Sequence, residues 1–315
     1  MEKEFEVDKM FDQAMRGFVD SHNDKICCLP SEYGFGIYKR RILDDNVRII
    51  VNGGGGYGPM WLGLLGEGLP DATISGYLNA APNAYIIYEM GKKIAGRKGV
   101  LLLTNNFMGD YLNNDMALEL LAHEGIPAKA IYVTDDIYSS DKTSPLERTG
   151  LIGIGQICKI AAAAASSEMS LDAVYQLCFA TNRRIRSLSM LLQGERFLLG
   201  KGIAGEPEKE VITCNSRKEI ARCMIRRLLD DYGENNYRNV YISLSVNRVI
   251  SYVESYSWLF YLREALAGEG IGILGSACGT YLDVYGGPGM MVSLVFGNEE
   301  INPYLKVVSG NGFEI

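Results

Sequence analysis

Apolar positions along the first half of the chain alternate between helical spacing and short continuous runs. Residues 4–20 carry apolar side chains at helical spacing, which predicts an amphipathic helix. Short runs rich in Val, Ile and Leu at 47–51, 99–104 and 130–134 predict strands, and a helix is predicted at 112–124. Because strands that alternate with helices form βαβ units, we expect a largely parallel sheet.

The second half continues this alternation after a Gly- and charge-rich connection at 194–209. Ser170 is the predicted N-cap of a helix at 170–185. The further predicted helices and strands are helices 151–165, 170–185, 216–232 and 252–268, and strands 239–245, 270–277 and 290–296. The predicted fold class is therefore α/β with two domains, each a largely parallel or mixed sheet flanked by helices. The predicted domains are a substrate-binding domain over 1–188 and a C-terminal domain over 189–315.

Composition narrows the classes of function. The net charge is −7 over 315 residues and no basic stripe occurs, so nucleic acid is not an expected partner. No apolar run is long enough to span a membrane, and the acidic, polar start is unlike a signal peptide, so we expect a cytoplasmic protein. Seven cysteines without a Cys-x-x-Cys pair, and two histidines, His22 and His123, suggest neither a disulfide framework nor a metal site.

Three loops at predicted strand ends are candidates for chemistry, since ligands of open α/β sheets bind at the carboxyl ends of strands. In the first, Gly54, Gly55 and Gly56 belong to a run of four glycines that would bring backbone N–H groups close to a ligand. In the second, Asp110 is a candidate base for a substrate hydroxyl, or alternatively the N-cap of helix 112–124. In the third, Asp135-Asp136 is either a metal or polyol site or a solvated turn.

Nucleotide motifs are weak in this sequence. Gly53-x-Gly55-x-x-Gly58 formally satisfies the dinucleotide fingerprint, but the acidic residue at a suitable distance, Asp71, precedes a predicted strand instead of ending one. No Walker loop occurs, so we expect no cofactor in this chain.

Several ordered motifs together resemble one family, the K subunit of dihydroxyacetone kinase. Its glycine-rich substrate loop resembles residues 52–59, and its second signature resembles 99–110, with Asp110 in the place of the catalytic aspartate. Gly202-Ile-Ala-Gly-Glu-Pro207 and the segment 275–283 follow in the family's order. The resemblance covers about residues 45 to 295.

The resemblance implies a homodimer of two-domain subunits that bind a small ketose. It also implies that a separate L-type subunit supplies phosphate, either from ATP/ADP with Mg on that partner or from a nucleotide recharged by the phosphotransferase system. Catalytic roles would fall to Asp110 and Tyr57, and substrate binding to Gly54, Gly55, Gly56, Asn105 and Ala204.

Three positions depart from the family's pattern. Ala204 stands where a family histidine forms a covalent hemiaminal with the substrate carbonyl. Tyr57 or Gly58 stands in place of a second histidine, and Asn105 replaces a lysine beside the substrate. The first hypothesis is therefore a kinase subunit that binds a small ketose or polyol noncovalently. The alternative is a catalytically inactive paralogue, acting as a metabolite sensor or transcriptional co-regulator, and a nicotinamide-dependent enzyme is a distant third.

Overall fold

The structure is a computed structural model that describes residues 7–42, 45–56, 58, 60–234 and 237–306. Within these ranges the helices are α1 (Val7–Ser21), α2 (Met60–Gly63), α3 (Ala84–Ile94), α4 (Met108–His123), α5 (Gly153–Ser166), α6 (Leu171–Asn182), α7 (Arg217–Tyr232), α8 (Tyr252–Gly268) and α9 (Asn302–Leu305). The strands are β1 (Ile26–Leu29), β2 (Phe35–Lys39), β3 (Arg48–Gly55), β4 (Ala72–Leu78), β5 (Val100–Asn105), β6 (Ala128–Val133), β7 (Ile185–Gln193), β8 (Arg196–Leu199), β9 (Glu210–Thr213), β10 (Asn239–Val246), β11 (Gly272–Gly279) and β12 (Gly289–Phe296).

The strands form two sheets of six. The first has the order β1-β2-β4-β3-β5-β6, and its four strands from β4 to β6 in that order are mutually parallel. The second has the order β11-β10-β12-β7-β8-β9, in which only the β10–β11 pair is parallel. Helices flank both sheets. The predicted α/β class, with largely parallel or mixed sheets flanked by helices, is thus confirmed.

The alanine-rich helix α5 joins the two sheets through one shared core. Most of its buried residues belong to a cluster that contains Val51 and Leu103 of the first sheet and Met291 and Val295 of the second. Because the alanine side chains are short, the helix can approach both layers closely. The two sheets therefore share apolar packing as well as a chain connection.

One predicted helix extends into a segment that the structure shows as a strand. The helix predicted at 170–185 begins as expected, with Ser170 accepting a hydrogen bond from Ala173 N, but it ends at Asn182. The chain then enters β7, whose partner β12 lies about a hundred residues later, and this long-range pairing overrides the local pattern. The predicted boundary between residues 188 and 189 falls within β7, and the division into two domains stays a prediction.

Candidate active site

A cavity of about 200 Å³ lies where the carboxyl ends of β3 and β5 meet the second half of the chain. These strands are parallel neighbours, with Asn52 opposite Thr104, so the residues that follow them are brought together. The lining residues are Gly54, Trp61, Asn79, Ala81, Asn105, Phe107, Gly109, Asp110, Ile203 and Ala204. Four of the predicted site residues, Asp110, Gly54, Asn105 and Ala204, therefore line one cavity.

Asp110 is a buried carboxylate in the first turn of α4. Its side chain is 6% exposed, and its Oδ1 has no hydrogen-bond partner among the described residues. Burial raises the pKa of Asp110 to about 7. The alternative role as the N-cap is wrong, because α4 begins at Met108 and Phe107 occupies the N-cap position. Asp110 is therefore a carboxylate near half ionisation at neutral pH that faces a cavity.

Asn105, the last residue of β5, is a second polar group without a partner. It is 2% exposed, and neither its Oδ1 nor its Nδ2 finds a hydrogen-bond partner within the described part of the chain. An unpaired buried amide costs free energy, on the order of 1–3 kcal/mol, unless a ligand or water satisfies it. Together with Asp110, it gives the cavity a donor and two acceptors for a polar ligand.

A pair of buried asparagines, which the sequence analysis did not single out, holds Asp110 in place. Asn52 Nδ2 donates to Asn114 Oδ1 at 2.8 Å, and Asn114 Nδ2 donates back to Asn52 Oδ1 at 2.9 Å. Asn114 Nδ2 also donates to the carbonyl oxygen of Asp110 at 2.8 Å. The pair ties β3 to the first turn of α4. The sequence could have indicated the role of Asn114 by its spacing, because it follows Asp110 by one helical turn and therefore lies on the same face of the helix.

Two glycines of the run, Gly53 and Gly55, meet different neighbours, so glycine is required for a different reason at each position. A Cβ on Gly53 would collide with the indole of Trp61, and one on Gly55 would collide with the carbonyl oxygen of Gly76. Both residues lie within β3, which extends beyond the predicted end at residue 51. Gly54 lines the cavity, and its carbonyl oxygen accepts a hydrogen bond from Trp61 Nε1 at 2.8 Å. The run is thus partly a packing requirement of the sheet.

The dinucleotide hypothesis loses its structural basis in the same segment. That fingerprint needs its glycines in a turn from a strand into a helix. Here Gly53 and Gly55 belong to the strand itself, and the following α2 has only four residues. Tyr57, the other predicted catalytic residue, lies outside the described residues, and its role stays a prediction.

Asp135 and Asp136 are neither a solvated turn nor part of the cavity. Both are buried, and Asp135 accepts hydrogen bonds from the N–H groups of Leu151 and Gly153, at 2.7 and 2.9 Å, and from the Ser187 hydroxyl. Asp136 Oδ1 accepts a hydrogen bond from Tyr138 N. Asp135 therefore connects the end of β6 to the start of α5 and to β7, which is a structural role.

Comparison with known proteins assigns the family. A model of the Dak1 domain matches residues 16–309. This chain belongs to the Dak1 domain family. Among curated proteins, it is 28% identical to the L-erythrulose kinase of Pectobacterium atrosepticum, over 92% of this chain and 52% of that protein. The chain thus spans about half the length of that relative.

Two further matches extend over nearly the whole of both chains. A PTS-dependent dihydroxyacetone kinase 2, dihydroxyacetone-binding subunit, from Listeria innocua is 26% identical over 94% of this Dak1 domain and 96% of that subunit. A solved structure titled "Regulation of the dha operon of Lactococcus lactis" superposes with a TM-score of 0.86 at 25% identity, over 95% of this chain and 94% of that one. The predicted resemblance to the substrate-binding subunit family is confirmed.

Ala204 lines the cavity at the position where the family resemblance implies a histidine. Its side chain is a methyl group, and its N–H donates to Glu206 Oε2 at 2.8 Å, which fixes the local turn. Among the lining residues there is no histidine, lysine or cysteine, so the described cavity holds no nitrogen or sulfur nucleophile. Binding in this cavity has to rely on hydrogen bonds and shape.

The described ranges contain neither a metal-ligand cluster nor a helix able to span a membrane. No group of three or more His, Cys, Asp and Glu side chains there is placed to hold a metal ion. In the same part of the chain, no helix combines the length and apolar character that crossing a bilayer requires.

Proposed function

We propose that this Dak1 domain is the substrate-binding subunit of a dihydroxyacetone-kinase-like phosphotransferase and binds a small ketose or polyol noncovalently. The observation that carries the proposal is the pairing of two buried, unsatisfied polar side chains, Asp110 and Asn105, in one cavity. A ketose offers both a hydroxyl donor for Asp110 and a carbonyl acceptor for the Asn105 amide. The relatives named as dihydroxyacetone-binding subunit and L-erythrulose kinase support the same ligand class.

In this proposal Asp110 acts as the general base. With its pKa raised to about 7 by burial, it accepts the proton of the reacting hydroxyl as that oxygen bonds to the transferred phosphorus. The bond from phosphorus to the donor's leaving oxygen breaks, and the donor departs one phosphoryl group shorter. Phosphoryl transfer depends mainly on positioning and electrostatics, so one well-placed carboxylate suffices.

The phosphoryl donor belongs to a partner in this proposal. A separate L-type subunit would hold ATP/ADP with Mg, or a nucleotide recharged by the phosphotransferase system. The proposal also includes a homodimer and a cytoplasmic location. The exposed apolar side chains Tyr252, Val253 and Phe260 on α8 support self-association, because α8 packs against the edge strand β11 and these side chains are left uncovered.

The decisive experiment supplies the purified chain with an L-type subunit, ATP and Mg²⁺ and measures phosphorylation of a panel of small ketoses and polyols. Asp110→Asn should lower the rate by about 10²–10⁴-fold, the usual contribution of a general base. Asp115→Asn is a matched control, since Asp115 is exposed on the same helix, and it should leave the rate unchanged. Absence of turnover on every compound would overturn the proposal.

A second candidate function is a catalytically inactive metabolite sensor or transcriptional co-regulator. It is favoured by Ala204, which cannot form the covalent bond to a substrate, and by the likeness to the solved structure whose title concerns operon regulation. Under this function, Asp110→Asn should leave partner binding or transcriptional output largely intact. Under the kinase function, the same variant lowers turnover by about 10²–10⁴-fold while the chain stays folded.

A further inference from the structure

A second cavity of about 370 Å³ adjoins the Asp110 cavity. Asn79 and Ile203 line both cavities, and Gly56 of the glycine run lines the second one only. The remaining wall of the second cavity is formed by residues 247–249, which follow β10, and by the turn 283–288. The two cavities are therefore neighbours that share the lining residues Asn79 and Ile203, and the second cavity lies on the side away from Asp110.

The new cavity has its own unpartnered acceptor. Asp283 Oδ1 is buried and lacks a hydrogen-bond partner among the described residues. Burial raises the pKa of Asp283, and the Arg248 guanidinium opposes that rise. Arg248 is exposed and forms no ion pair with a described residue within 4.0 Å. A carboxylate acceptor beside a guanidinium donor suits the hydroxyl groups of a polyol.

The backbone around Asp283 is held rigidly on both sides. Before it, Ser245 Oγ accepts a hydrogen bond from Leu282 N at 3.1 Å and donates to the Leu282 carbonyl at 2.9 Å. After it, Asn247 Oδ1 accepts a hydrogen bond from Val284 N, and Asn247 Nδ2 donates to the Val284 and Gly287 carbonyls. Such preorganisation lowers the entropy cost of binding a ligand there.

Volume decides between a short and a long ligand. The Asp110 cavity holds the equivalent of roughly six or seven waters, at about 30 Å³ each, which a three-carbon ketose fills. The second cavity adds room for roughly twelve more. A triose bound at Asp110 would therefore leave Asp283 and Arg248 without a ligand.

We propose that the substrate site extends into this second cavity and takes a ketose or polyol of five or six carbons, with its distal hydroxyls bound by Asp283 and Arg248. This inference rests on the proposed function, because the reacting hydroxyl is placed at Asp110. The selectivity for length resides in the second half of the chain, which contributes Arg248 and Asp283.

The test measures binding of a three-carbon, a four-carbon, a five-carbon and a six-carbon ketose to the full chain by calorimetry. Wild type should bind the five- and six-carbon ketoses at least about tenfold more tightly than the three-carbon one. Asp283→Asn should weaken only the long ligands by about tenfold, the loss of one charge-assisted hydrogen bond. Asp172→Asn, at an exposed carboxylate of α6, is the matched control and should change the affinity for neither the short nor the long ketoses.

Arg248→Ala provides a second variant, since Arg248 is exposed and its loss should not affect folding. This variant should also weaken the binding of the five- and six-carbon ketoses and leave the binding of the three-carbon ketose unchanged. Equal affinity for short and long ketoses, or equal loss of both in Asp283→Asn, would overturn the extension alone. Failure of every ketose and polyol to bind wild type would overturn the proposed function together with the extension.

Discussion

Asp110 and Asp135 follow neighbouring parallel strands of the same sheet, β5 and β6, and both are buried. Asp135 accepts two backbone N–H groups and one hydroxyl, whereas Asp110 Oδ1 finds no partner among the described residues. Burial raises the pKa of both carboxyls, but at Asp135 the hydrogen bonds oppose that effect. Burial alone therefore does not mark a functional carboxylate. What distinguishes Asp110 from Asp135 is an unmatched acceptor at a residue that lines a cavity.

The largest expected effect is the pH dependence of stability that Asp110 causes. The folded pKa of Asp110, about 7, exceeds its unfolded value of about 3.9, so the folded state binds the proton more tightly. The Asp110 contribution to the free energy of unfolding thus falls as pH rises from about 4 to about 7. Asp110→Asn removes this loss and should stabilise the chain by up to about 4 kcal/mol at pH 8, and by less at pH 5.

Urea unfolding of wild type and Asp110→Asn at both pH values measures this difference. The other buried carboxyls titrate equally in the two proteins and cancel. A variant that is less stable than wild type at pH 8 would mean that Asp110 makes stabilising contacts and is not an unsatisfied site residue.

Asp135→Ala should lower the free energy of unfolding, whereas Asp110→Asn should raise it. It leaves the N–H groups of Leu151 and Gly153 and the Ser187 hydroxyl without their acceptor, so we expect a loss of about 3 kcal/mol in the free energy of unfolding at pH 7. Asp141→Ala removes an exposed carboxylate in a nearby loop and should change stability by less than about 0.5 kcal/mol. Equal stability of the Asp135 and Asp141 variants would show that the Asp135 hydrogen bonds contribute little.

The smallest expected effect compares two adjacent asparagines. Asn105→Ala removes an unsatisfied amide, so it should not lower stability, and it should weaken ketose binding by about tenfold. Asn106→Ala loses the hydrogen bond from Asn106 Nδ2 to the Arg148 carbonyl at 2.8 Å, so it should cost about 1 kcal/mol and leave binding unchanged. Calorimetric titration and urea unfolding of both variants give the two readouts. The reverse pattern would assign Asn105 a structural role.

The sequence predicted the α/β class and the placement of Asp110 because the runs that become β3, β5 and β6 are mostly apolar. Such runs indicate buried parallel strands without any knowledge of their partners. It did not predict β7, because the predicted helix ran on to residue 185, where β7 begins, and only the pairing with β12 makes this segment a strand. Likewise, the glycine run indicated a close approach but not that Trp61 and Gly76 are the groups approached.

What the sequence by itself determined was the family, through ordered motifs, and the chemical identity of the side chains at the ends of β3 and β5. It also determined the absence of an imidazole at position 204, which excludes a hemiaminal there. The tertiary structure alone decided which polar groups are satisfied. Asn52 and Asn114 satisfy each other across 62 residues, while Asp110, Asn105 and Asp283 keep unmatched atoms beside cavities. A hydrogen bond depends on distances between atoms far apart in the chain, and local patterns carry no record of those distances.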